Sequence, residues 1–129
     1  MNEQDIRELY QALAREYSVK IQKYEWGGYN VAHPRNVDDI LVMTLPDSFE
    51  PGSRSMISAS YITDERESPE EIIEGLQLLA SLRDQLVEKG YTPRWLGAEG
   101  NCCQYEVMVD IRNANDVEKA LKDYRDLKL

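Results

Sequence analysis

Cys103-Gln-Tyr-Glu-Val-Met-Val-Asp-Ile111 decides the fold. Cys103, Tyr105, Val107, Val109 and Ile111 alternate with Gln104, Glu106, Met108 and Asp110. Neighbouring side chains on a strand point to opposite faces, so this period of two describes a strand with one face in a core and one in water. Upstream, Glu99-Gly-Asn101 is a turn, and Tyr91 to Ala98 is the partner strand of a hairpin. Pro93 cannot donate to a ladder, which places that partner at a sheet edge.

A half-wet sheet needs helices on its apolar face. Two flank the hairpin. Ser68-Pro-Glu-Glu71 opens a long helix with an N-cap, a proline at its first position and a capping-box glutamate, and Gly90 closes it. Its apolar stripe reads as Ile72, Ile73, Leu76, Leu79, Ala80, Leu86 and Val87. Arg83 falls inside that stripe, so it either extends its head to water or pairs with Asp110 or Glu106. Asn115 with Glu118 opens the last helix, with Val117, Ala120, Leu121 and Tyr124 inward.

The N-terminal half follows the same logic. Ile6, Leu9, Tyr10, Leu13 and Tyr17 mark a helix over about residues 3–16, capped by Asn2 with Asp5. Val19 and Ile21 begin a strand, Gly27-Gly28 reads as a tight turn, and Tyr29 to His33 returns until Pro34. Residues 39–45 are apolar on both faces, which indicates a central strand, and Ser55 to Thr63 is another. The order is α-β-β-β-β-α-β-β-α. It predicts one α+β domain over residues 1–129, a two-layer sandwich with a mainly antiparallel sheet of five or six strands.

Composition narrows function by exclusion. Met1-Asn-Glu-Gln-Asp5 is polar and acidic, unlike a signal peptide, and no apolar run reaches the ~18 residues of a membrane helix. Cys102 and Cys103 are adjacent and on opposite faces, so they read as free thiols in a cytoplasmic, reducing setting. His33 is the only histidine, too few for zinc, and it is expected at a strand end with its ring at the surface. Gly-rich phosphate loops, Gly-x-Ser-x-Gly and Cys-x-x-Cys do not occur, so no cofactor, metal or reaction is indicated and the chain reads as non-enzymatic.

What remains is surface. The net charge is −9, and residues 64–74 carry Asp64, Glu65, Glu67, Glu70, Glu71 and Glu74 against Arg66 alone. Such a chain is a poor binder of nucleic acid or anionic lipid. The cluster either solvates a loop and helix start or faces a basic, nucleic-acid-binding groove on a partner protein, imitating phosphate charge. A second feature is the Trp26-Gly-Gly-Tyr29 turn, with Lys20, Lys23 and Arg35 nearby. Trp26 and Tyr29 either pack as a cross-strand pair or anchor a partner. Leu78 and Leu82, off the apolar stripe of the long helix, suggest a homodimer surface.

In size, acidity and lack of cofactor motifs the chain resembles phage-encoded inhibitors of defence nucleases such as anti-CRISPR proteins, some of which occupy a basic nucleic-acid channel. That resemblance implies an inhibitory, protein-binding role; the charge pattern makes Asp64, Glu65, Glu67, Glu70 and Glu74 the expected contact residues, and the aromatic turn adds Trp26 and Tyr29. Two other expectations stand beside it. One is a small-molecule or catalytic site near Trp26, Tyr29 and His33. The other is direct nucleic-acid binding through the Trp26 hairpin.

Overall fold

A computed structural model describes residues 1–36, 39–63, 66–99 and 102–129, with the backbone alone for 97–99. The element order is α1 (Glu3–Glu16), β1 (Lys20–Lys23), β2 (Tyr29–Ala32), β3 (Leu41–Leu45), β4 (Arg54–Ile62), α2 (Pro69–Glu88), β5 (Arg94–Glu99), β6 (Cys102–Asp110) and α3 (Ala114–Arg125). The six strands form one antiparallel sheet in the order β1-β2-β3-β4-β6-β5. This is the α+β sandwich that the sequence predicts, and β5, the strand with Pro93 before it, is an edge.

Register explains the two layers. Ile21, Val31, Met43, Ile57 and Val107 are successive cross-strand partners. They pack in one core with Ile6, Tyr10 and Leu13 of α1, Leu79, Leu82 and Leu86 of α2, and Val117, Leu121 and Tyr124 of α3. The adjacent row, Gln22, Asn30, Thr44, Met56 and Met108, faces away from the helices. Buried tyrosines tie the layers together through their hydroxyls: Tyr124 donates to Val31 O at 3.0 Å, Tyr105 to Leu79 O at 2.8 Å, and Tyr10 to Pro46 O at 2.7 Å. Each satisfies a polar group that burial would otherwise penalise.

Several local expectations are corrected. Gly27-Gly28 is not a two-residue turn: Lys23 pairs with Tyr29, and Tyr24 N bonds Gly28 O at 2.9 Å, so residues 24–28 form the connection. Gly27 and Gly28 do take positive φ, 108° and 76°, but Trp26 stands at the tip and is no cross-strand partner of Tyr29. Strand β3 begins at Leu41, and it alternates: Leu41, Met43 and Leu45 are buried while Val42 and Thr44 are half-buried. The N-cap of α3 is Asn113, whose side chain accepts from Asp116 N at 3.0 Å, so Asn115 lies inside the helix. At the start of α2, Ser68 accepts from Glu71 N at 3.2 Å, but the Glu71 carboxylate takes the Ser68 hydroxyl, not its backbone N–H.

The largest correction is the phase of α2. Its buried residues are Gly75, Leu79, Leu82 and Leu86, with Leu78 half-buried against the core. Ile73, Leu76, Ala80 and Val87 are exposed. The helix carries more apolar residues than one face can hold, and core packing selects the arc through Leu82. Leu82 is fully buried and Leu78 packs half-buried against the core, so the two do not form an exposed apolar strip. Arg83 lies at the rim and pairs with Asp84 at 3.1 Å, whereas Asp110 pairs with Arg54 at 3.4 Å.

Candidate functional site

The acidic residues meet in a groove at one end of the sheet. Its walls are the segment entering β3, the end of β4, and the first half of α2 with the residues leading into it, and its volume is about 620 Å³. Asp39, Glu67, Glu71 and Glu74 line it, with Ile40, Tyr61 and Leu78 as apolar lining. Asp39 comes from the loop before β3 and holds a left-handed φ of 52°, which Asp tolerates better than most residues. The glutamates come from the segment entering α2 and from its first two turns. Among the described residues, Asp39, Glu71 and Glu74 make no ion pair.

Tyr61 is the floor of the groove. Its hydroxyl donates to the Glu67 carboxylate and lies 3.3 Å from Glu71 O. The Glu67 hydrogen bond, with burial and the charges of Glu67 and Glu71 adding to it, pushes the phenol up to about 12, so it stays a neutral donor. The ring lies against Gly75: a Cβ at that position would sit 2.2 Å from Tyr61 Cζ. A glycine inside a 20-residue helix costs about 1 kcal/mol relative to alanine, and here it permits α2 to approach β4.

The other predicted contact residues lie elsewhere. Asp64 and Glu65 fall outside the described residues. Glu70 is exposed on the first turn of α2 but does not line the groove. Trp26 is 94 % exposed, at the end of β2 opposite the groove. Tyr29 is buried, stacked edge-on against Tyr10 with ring centroids 4.8 Å apart. Lys23 is held by Asp47 and lies 4.9 Å above the Tyr29 ring. Asp47 also accepts from Gly28 N at 2.6 Å, and Lys23 with this amide holds its carboxyl below the usual range.

His33 is 5 % exposed, contrary to the expected surface ring. It lies past the other end of β2 from Trp26, so Trp26, Tyr29 and His33 do not share a cavity. Its ring meets Tyr124 edge-on at 5.3 Å, and Nδ1 accepts from Arg35 N at 3.1 Å. Nε2 is buried without a hydrogen-bond partner. Burial lowers the pKa below the usual value, against the raising effect of the backbone at Arg125, Leu127 and Tyr124, so the ring is neutral near pH 7. It lines a second cavity of about 390 Å³ with Ser18, Arg35, Arg125, Asp126 and Lys128, a locally cationic spot on an acidic protein.

Among the described residues no cluster of three or more histidines, cysteines and carboxylates could hold a metal ion, and no helix is long and apolar enough to cross a membrane. No protein family, curated protein or solved structure matches the chain.

The sequence pointed to Glu67 and Glu74 but not to Asp39 or Tyr61 as their neighbours. Nothing local joins Asp39 to the cluster; the β3–β4 pairing does. Gly75 was the available signal, because an interior helix glycine marks a close approach by another group.

Proposed function

We propose that this chain is a non-enzymatic binding protein that occupies a partner protein, docking through the acidic groove onto basic side chains of that partner. The observation that carries this reading is the convergence of Asp39, Glu67, Glu71 and Glu74 on one recess around Tyr61. Carboxylates gathered on a surface repel one another, and a cationic partner relieves that repulsion while speeding encounter. The apolar lining of Ile40, Tyr61 and Leu78 suits the aliphatic stem of a lysine or arginine. The finer form of the proposal is a partner whose basic surface otherwise takes nucleic acid, as with inhibitors of defence nucleases. Trp26, alone and exposed at the far end of the sheet, is then a separate contact or none.

The test compares two variants of equal charge. Glu71→Lys with Glu74→Lys reverses groove residues; Glu70→Lys with Glu88→Lys reverses acids outside it. Partners are captured from native extract after nuclease treatment. A stoichiometric basic protein retained by wild type and by the outside pair, but lost from the groove pair, supports the proposal. Equal retention by both pairs rejects the groove.

A second reading rests on His33. His33 Nε2 is buried and completes no hydrogen bond, with the backbone of Tyr124, Arg125 and Leu127 near the ring, and Arg35, Arg125 and Lys128 line the same cavity, which fits a small carboxylate or phosphate. Titration with inorganic phosphate and citrate, followed by thermal stability, tests it: stabilisation lost in His33→Phe supports it, and no shift with either anion rejects it.

A further inference from the structure

We infer that α2 and β5 form a self-association surface that pairs two copies of this chain through antiparallel α2 helices. The acidic groove is on the other flank of α2, so this inference does not depend on the proposed partner.

The helix layer is one helix short of covering the sheet. Trp95 of β5 stands opposite Tyr105 in register and meets it edge-on at 5.7 Å, so it is on the helix side. Yet it is half-exposed, because α2 sits over β4 and β6 and leaves the edge strand bare. Leu76, Ala80 and Arg83 of α2 form the wall of this step, and Trp95, Cys103 and Tyr105 form its floor, around an apolar recess of about 190 Å³. At about 100° per residue, Ile73, Leu76, Ala80, Arg83 and Val87 fall within an arc of about 80°, centred about 100° from the buried arc.

Area and symmetry favour a second copy as the occupant. Ile73, Leu76, Val87, Trp95 and Leu96 are 39 to 54 % exposed. Together they put about 500 Å² of apolar surface in water, near the top of what a monomer ordinarily shows. A specific interface of standard size buries about 800 Å² per copy, and at the roughly 65 % apolar share of homodimer interfaces that is nearly the same amount. The strip is also self-complementary. Ile73 and Val87 stand about two turns to either side of Ala80, so an antiparallel pair sets each Ile73 against the other copy's Val87. The small Ala80 at the centre lets the axes approach. Leu96 interrupts the β5 ladder as a bulge between Trp95 and Gly97, which favours contact through side chains over edge-strand pairing.

The measurement is sedimentation equilibrium of the full chain over the micromolar range. Wild type is expected to be a reversible dimer. Leu76→Asp with Val87→Asp, both at exposed positions, should weaken it by about a hundredfold or more while leaving the far-UV spectrum unchanged. Ala80→Cys should give a disulfide between the two copies at that position on mild oxidation, located by peptide mapping apart from Cys102 and Cys103. A wild-type protein that stays monomeric throughout, a dimer indifferent to the two aspartates, or an Ala80→Cys variant that never cross-links at that position would each overturn the inference.

Discussion

At the scale of single residues, Gly75 makes the sharpest prediction because two effects oppose. In an open helix, alanine in place of glycine stabilises by about 1 kcal/mol. Here the new methyl would meet the Tyr61 ring at 2.2 Å, and moving the ring breaks its hydrogen bond to Glu67. Overpacking costs about 1–3 kcal/mol, so Gly75→Ala is expected to lower stability, read by urea unfolding. In a Tyr61→Ala background the clash is gone, and the same substitution should become stabilising. His33 and Asp47, with Asp116, set the pH response. The His33 pKa is lower in the folded chain than the usual 6.5. The unfolded chain therefore binds the proton first, and stability present above pH 6.5 declines as pH falls below it. Asp47, also lowered, adds a second loss below its usual 3.8, removing the Lys23 pair and the Gly28 bond. Urea midpoints against pH should show two descents, the upper absent from His33→Phe and the lower reduced in Asp47→Asn, the remainder belonging to Asp116, whose carboxyl the Arg112 backbone amide and guanidinium also hold below the usual range.

At the scale of elements, the caps separate what sequence reveals from what it hides. Asn2 with Asp5 was legible, and both halves of that capping box form, at 2.9 and 3.1 Å. At the start of α3 the sequence reading placed the cap at Asn115 with Glu118, although Asn113 stands in the same relation to Asp116. The structure uses Asn113, so Asn113→Ala is expected to cost about 1 kcal/mol while exposed Asn115→Ala is neutral or slightly stabilising. Thermal unfolding of the two variants checks the assignment. The alternation in β6 and the breaks at Pro34, Pro69 and Gly90 made the element order readable, since each rests on backbone chemistry within a few residues. The phase of α2 was not readable. With leucine or isoleucine on two adjoining arcs, periodicity marks a helix but not which arc the sheet covers; that depends on Gly75 against Tyr61 and Leu79 against Tyr105, contacts made across the fold.

At the scale of the whole molecule, the helix α2 has three working flanks. One fills the core through Leu79, Leu82 and Leu86; one closes the acidic groove with Glu71 and Glu74; one presents the apolar strip beside Trp95. The charge excess was legible in the sequence, but its shape was not, because Asp39 joins the glutamates only through the β3–β4 pairing. Sequence clustering also overstated Glu70, which neighbours the groove residues in the chain and yet stands outside the recess. The central claim is that this recess, and not bulk negative charge, is the binding surface. The most direct measurement is the affinity for the captured partner as a function of salt, for wild type, the Glu71→Lys/Glu74→Lys variant and the Glu70→Lys/Glu88→Lys variant. The account predicts affinity that falls steeply with salt in wild type and in the outside pair, and binding abolished in the groove pair at every salt concentration. Equal affinity and equal salt dependence for the two variants would contradict it.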